Sequence, residues 1–134
     1  MYKRGVELQI FFIMELIVAV FAGLLFINAG KAWAQVDYYD KVRIAEDIAL
    51  GMNALYSVPG NADLRYINEV SDYIITIKDD YVLVAKSEYD VIPGKYHFVK
   101  KGTQEFNYVF NHPTTLVLVK NGDSITIKAY NEEK

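Results

Sequence analysis

Residues 8–27 form a run of twenty in which only Gln9 and Glu15 are polar. Coiled as a helix at 1.5 Å per residue, the run covers roughly 30 Å, the thickness of a bilayer's hydrocarbon core. Lys3 and Arg4 precede it, whereas the far side carries one nearby cation, Lys31, followed by Asp37 and Asp40. The positive-inside rule therefore predicts a cytoplasmic stretch over residues 1–7, a transmembrane helix over 8–27 and an exported remainder. The predicted location is the cell membrane, crossed once, with the C-terminal part extracellular and the lipid bilayer as a partner. A cleaved signal peptide is the rival reading, because Ala32-Trp33-Ala34 before Gln35 resembles a small-x-small cleavage site. Against it, the apolar stretch exceeds the 7–15 residues usual for a signal, and helical character continues past the cut.

That continuation is predicted over residues 28–58. No proline occurs between Asn28 and Tyr56, and good helix formers recur. Ile44, Ile48, Met52 and Leu55 fall at i, i+4, i+8 and i+11, with Ala45 and Tyr56 beside them, whereas Arg43, Glu46, Asp47 and Asn53 take other faces. Val58-Pro59-Gly60 ends the helix, since a residue before proline disfavours the α region. Beyond Gly60 the apolar period shortens to two. Strands are predicted over 73–78, 81–86, 95–100, 106–110, 115–119 and 124–128, with another over 64–68. Asp79-Asp80 reads as a hairpin turn and Asn121-Gly122 as a type I′ turn. About 75 residues make a marginal free-standing core. The stripe of Ile44, Ile48, Met52 and Leu55 is thus the expected helix–sheet core, the wall that a sheet over residues 60–134 needs. The fold class is α+β: a long N-terminal transmembrane helix continuing into an amphipathic helix packed on a small antiparallel β-meander, a lollipop shape.

Little in the sequence points to chemistry. The net charge is −3, which argues against nucleic acid as a partner. There is no cysteine, so disulfides, thiolate metal sites and thiol nucleophiles are excluded. His97 and His112 lie in separate segments without metal-binding spacing, no serine sits in a Gly-x-Ser-x-Gly context, and no glycine-rich phosphate loop occurs. No catalytic residue, cofactor or metal ligand is expected, and the chain is not read as an enzyme. Eleven tyrosines suit a β surface that makes contacts.

Glu15 remains to be explained. With 100° per residue, Ala19, Ala22, Gly23, Phe26, Ala29, Gly30 and Trp33 lie within about 80° of it, and Ile13, Ile17, Val20, Leu24 and Ile27 lie opposite. One face gathers the small residues and the carboxylate, together with Phe26 and Trp33; the other is large and branched. Ala19 and Gly23 have the small-xxx-small spacing that lets membrane helices approach closely. An ionised group at mid-membrane costs about 2.5–3.5 kcal/mol on insertion scales and usually faces a partner. No Lys or Arg occurs between Leu8 and Ile27. Glu15, Ala19, Ala22 and Gly23 are therefore predicted to form a helix–helix assembly face towards other copies of the chain or other membrane subunits. The bland alternative is a protonated glutamate tolerated in the membrane.

These features together resemble type IV pilin-like proteins, with a leaning to the archaeal versions because a cysteine pair is absent. Lys3-Arg4-Gly5 resembles a prepilin processing site, and Phe11-Phe12-Ile13-Met14-Glu15 resembles the start of a mature pilin helix, in which glutamate stands fifth. The two halves are out of register here. A cut after Gly5 makes Ile10 the fifth residue and Glu15 the tenth. The resemblance implies a structural subunit that assembles through its N-terminal helix into a surface filament or its base. A single-pass accessory subunit of a larger membrane complex is the alternative, and an anchored binding module using the loop 87–94 is a third.

Overall fold

The computed structural model describes residues 2–131, with side chains from Gln9 onward. The side chains of Lys3, Arg4 and Gly5, the candidate processing residues, lie outside the described residues. One long helix, α1 (Tyr2–Ser57), opens the chain. Seven strands follow: β1 (Ala62–Tyr66), β2 (Ile74–Lys78), β3 (Tyr81–Ala85), β4 (Gly94–His97), β5 (Asn107–Asn111), β6 (Thr115–Asn121) and β7 (Ser124–Tyr130). The chain divides into two compact units, Met1–Asp37 and Tyr38–Lys134.

In the first unit the described backbone is helical throughout, and the large apolar side chains from Ile10 to Val36 are exposed. The helix over Gln9–Ser57 is long and apolar enough to cross a membrane.

In the second unit, the helix from Tyr38 to Ser57 presents Lys41, Ile44, Ala45, Ile48, Ala49, Met52, Leu55 and Tyr56 to the interior. These follow the three-and-four spacing of one helix face. The strands alternate: Ile75 and Ile77, Val82 and Val84, Leu116 and Leu118, and Ile125 and Ile127 are buried and belong to the same cluster as the helix residues. Each such aliphatic side chain contributes about 1.5–3 kcal/mol when fully removed from water.

The strands form two antiparallel sheets rather than one meander, ordered β1-β6-β7 and β4-β3-β2-β5. β1 reaches past four strands to pair with β6, Leu64 opposite Leu118, and β5 pairs with β2, Thr76 opposite Val109. Local hairpin signals carry no information on such long-range pairings. Two sheets also give the apolar stripe a second layer of cover, which matters when seven short strands share one core.

The turns follow local chemistry. Asp79 takes a left-handed φ of 52° in the β2–β3 hairpin, a conformation that aspartate tolerates. In the β6–β7 hairpin the paired ends are Asn121 and Ser124, so the two central residues are Gly122 and Asp123. Only Gly122 has a positive φ, at 62°. The turn is therefore displaced by one residue from the predicted Asn121-Gly122 and lacks the two positive φ values of type I′.

The C-terminus of α1 is held by basic side chains. Lys101 Nζ donates to the Tyr56 carbonyl at 3.2 Å, and the buried Lys120 Nζ donates to the Val58 carbonyl. Both satisfy carbonyls that the ended helix leaves open.

Candidate functional site

Glu15, Ala19, Ala22 and Gly23 stand on α1 at i, i+4, i+7 and i+8, which a helix gathers onto one face. Glu15, Ala19 and Gly23 are exposed, and Ala22 is half-buried. A methyl group built on Gly23 meets nothing within 4 Å. Around them Phe11, Phe21, Leu25 and Phe26 are also exposed, Phe26 to 80%. The side chains of this segment are thus left for lipid or for another protein to cover, because apolar surface of this extent is not sustained in water.

Ile44, Ile48, Met52 and Leu55 sit inside the second unit, Met52 with no exposure. They share one cluster with residues of both sheets, including Phe98 and Phe106, whose rings meet edge to face at 5.6 Å.

The histidines are far apart in role. His97 Nδ1 lies 3.3 Å from Asp80 Oδ2 on an open surface, and His112 Nδ1 lies 3.0 Å from the Ser71 carbonyl. Among the described residues no group of three or more His, Asp or Glu side chains is placed to hold a metal ion.

Two open clefts mark the second unit. The larger, about 730 Å³, is lined by Tyr56, Lys101, Gln104, Lys120, Asn121 and Ser124, among others. Its cations hold the end of α1. The Gln104 amide is engaged too, donating to the Ile125 carbonyl at 2.5 Å and accepting from the Ile125 N–H at 2.9 Å. It thereby occupies main-chain groups on the open edge of β7, as a neighbouring strand would. Tyr56 hydroxyl is buried beside the Lys101 backbone but makes no hydrogen bond of good geometry, and burial pushes its pKa up. The smaller cleft, about 270 Å³, is lined by Asp40, Arg43, Asp47, Tyr66, Asn68 and Glu69, among others. There Tyr66 donates to Asp47 Oδ2 at 3.3 Å and accepts from Asn68 Nδ2 at 3.2 Å. Burial is the main cause that raises its phenol pKa. Neither cleft pairs a nucleophile with a base.

Comparison with protein-family models, with characterised proteins and with solved structures finds no match for this chain.

One arrangement escapes sequence reasoning. Lys41, 3% exposed, places Nζ 2.7 Å from Asp90 Oδ2 and donates to the Ile92 carbonyl at 3.2 Å. Asp90 also accepts the N–H groups of Lys86 at 2.9 Å and Ile92 at 3.2 Å. Burial alone pushes the Asp90 carboxyl up, but the Lys41 ammonium and these two N–H donors outweigh it and hold the pKa below the ordinary aspartate value. Directly after this loop, Gly94 lies against the backbone of Lys41 and Val42. The available signal is that Lys41 falls three residues before Ile44, on the apolar stripe. A lysine in such a position needs a buried partner.

Proposed function

We propose that the chain is a structural, membrane-anchored subunit whose N-terminal helix crosses the bilayer once and assembles with neighbouring helices, as in pilin-like proteins. The observation that carries this reading is the exposed apolar helix bearing Glu15 among small residues. In this reading residues 1–7 are cytoplasmic and the second unit is extracellular. The carboxylate of Glu15 meets a donor or cation of another chain along the face of Ala19, Ala22 and Gly23. The partners are the bilayer and other copies of the chain.

The out-of-register signature favours a second reading, an accessory subunit of a larger membrane complex that is not processed after Gly5. The mature mass separates the two: loss of the first five residues supports the pilin route, and an intact N-terminus the accessory role.

The assembly face is tested by three variants in mild detergent. Glu15→Leu is expected to reach the membrane at normal or higher level yet run as free monomer, because it removes a polar group that insertion disfavours and assembly needs. Gly23→Leu is expected to give the same defect by holding helices apart. Glu15→Gln fails nearly as badly as Leu if the partner is a cation, and behaves as the parent if Glu15 is protonated. Parental assembly by all three would sink the proposal.

A further inference from the structure

Four strands border the two sheets: β1 and β7 in one, β4 and β5 in the other. An open strand edge is a template for another strand, and charged side chains are a common guard against it. β1 carries Asp63 and Arg65, and β4 carries Lys95. β7 carries Lys128 and has the Gln104 amide on its Ile125 main chain. β5, Asn107-Tyr108-Val109-Phe110-Asn111, holds no charge and no proline.

Hydrogen bonds just beyond the two ends of β5 fix which of its main-chain groups are open. Asp79 N–H donates to the Phe106 carbonyl at 3.1 Å, and His112 N–H donates to the Tyr73 carbonyl at 3.1 Å. Both pairs keep the β2–β5 register, so Phe106, Tyr108, Phe110 and His112 turn their main chain towards β2. Asn107, Val109 and Asn111 turn theirs away, to the side on which the sheet has no further strand. These three residues are exposed, Val109 to 59%. Tyr108 and Phe110 pack against the core instead, with their rings stacked at 5.9 Å.

The strand reads nearly the same in both directions. Laid antiparallel on a second copy with a two-fold axis at Val109, Asn107 meets the partner's Asn111, Tyr108 the partner's Phe110, and Val109 its own counterpart. In this register the open main-chain groups of Asn107, Val109 and Asn111 face one another as hydrogen-bonded pairs. Tyr108 and Phe110 take the closer, non-hydrogen-bonded positions, where aromatic pairs interact favourably. No charge of either strand faces a like charge. We propose that β5 pairs with β5 of a second copy of the chain, joining the β4-β3-β2-β5 sheets of two molecules into one. The contact is isologous and lies wholly within the second unit, so it does not depend on α1 crossing a membrane. Five residues a side is short of the roughly 20–30 of a standard interface, so the pairing is weak and concentration-dependent.

Disulfide trapping of the full chain in mild detergent tests this, because the sequence has no cysteine of its own. Hydrogen-bonded antiparallel partners have Cα atoms about 5.5 Å apart, inside the roughly 4.4–6.8 Å that a disulfide spans. Val109→Cys is expected to form oxidised dimer several-fold faster than Val99→Cys, whose position is 69% exposed but outside β5. A mixture of Asn107→Cys and Asn111→Cys chains should link several-fold faster than either alone, since like positions lie about 14 Å apart along the strands. Val109→Lys in both chains of the mixture sets like charges face to face and should cut that linking several-fold. Val109→Pro should do the same by removing an N–H that β2 does not use, with the folded near-ultraviolet signal kept. Val109→Cys linking no faster than Val99→Cys would overturn the proposal. So would a Val109→Cys thiol shielded from reagents without dimer, which means that a different segment covers the edge. Asn107→Cys linking with itself as fast as with Asn111→Cys means another geometry, and linking indifferent to Val109→Lys means chance encounter; either result overturns the proposal as well.

Discussion

Replacing glycine by alanine at Gly94 and at Gly51 should have opposite signs, and the reason lies in about a tenth of a nanometre. A Cβ on Gly94 would collide with Lys41 C and sit 2.5 Å from Val42 N and 2.6 Å from Lys41 O, all backbone atoms of α1. Ordinary contact between such atoms needs roughly 3.5 Å, so β4 must retreat by about 1 Å. Neither partner is the flexible end of a side chain. The glycine does not have a positive φ, so the penalty is steric alone. Overpacking of a rigid site costs about 1–3 kcal/mol and occasionally more. The retreat would also stretch the loop that holds Asp90 on Lys41, so about 3 kcal/mol is expected. For a unit of roughly 100 residues, that is a fall in Tm of about 12–24 °C. At Gly51 an added methyl meets Leu64 Cδ2 at 3.4 Å, ordinary contact, inside a helix. There alanine should raise stability by about 0.5–1 kcal/mol through helix propensity. The assay is thermal loss of the near-ultraviolet tyrosine signal of the full chain in mild detergent. If Gly94→Ala matches the parent, the close approach of β4 to α1 is wrong. If both variants fall equally, the core simply tolerates no added volume.

Two further perturbations probe the same unit. Ile48→Asp places an unpaired carboxylate where the side chain is 1% exposed, and a loss of more than about 4 kcal/mol should abolish the folded signal; a stably folded variant would remove Ile48 from the core. Asp90→Asn should cost about 2 kcal/mol at pH 7, below the 3–5 kcal/mol of a deeply buried pair, because a single loop covers the ion pair. Since the folded pKa of Asp90 is lowered, its contribution is complete above the ordinary aspartate value near 4 and is lost as pH falls through the lowered one. The gap in Tm between parent and Asp90→Asn should therefore narrow in acid, and a constant gap would refute the ion pair.

What the sequence discloses is local. The three-and-four spacing of Ile44, Ile48, Met52 and Leu55 discloses a helix face, and two-residue alternation in Ile75–Ile77 or Leu116–Leu118 discloses strands, because each pattern repeats within a few residues. Pairing is not local. Nothing in the sequence around Ala62–Tyr66 names Lys120 to Leu116 as its partners. Lys41 and Gly94 are illegible for a related reason. A lysine on an apolar stripe reads as an interruption until Asp90, 49 residues on, is brought to it. Pro93-Gly94 reads as a turn, although the glycine is needed for its missing side chain. The face of Glu15, Ala19, Ala22 and Gly23 is legible as a face for the same periodic reason as the core stripe. In the proposed assembly its partner belongs to another molecule, so no pattern within this chain identifies it.

Where α1 lies decides the proposed function, and one measurement addresses that directly. Membranes from cells producing the full chain, washed in alkaline carbonate, should retain it in the pellet. Protease added outside intact cells stripped of any outer envelope should then remove the second unit and leave a membrane-bound fragment containing residues 8–27. Release of the chain by carbonate, or complete protection of the second unit from external protease, would contradict the account.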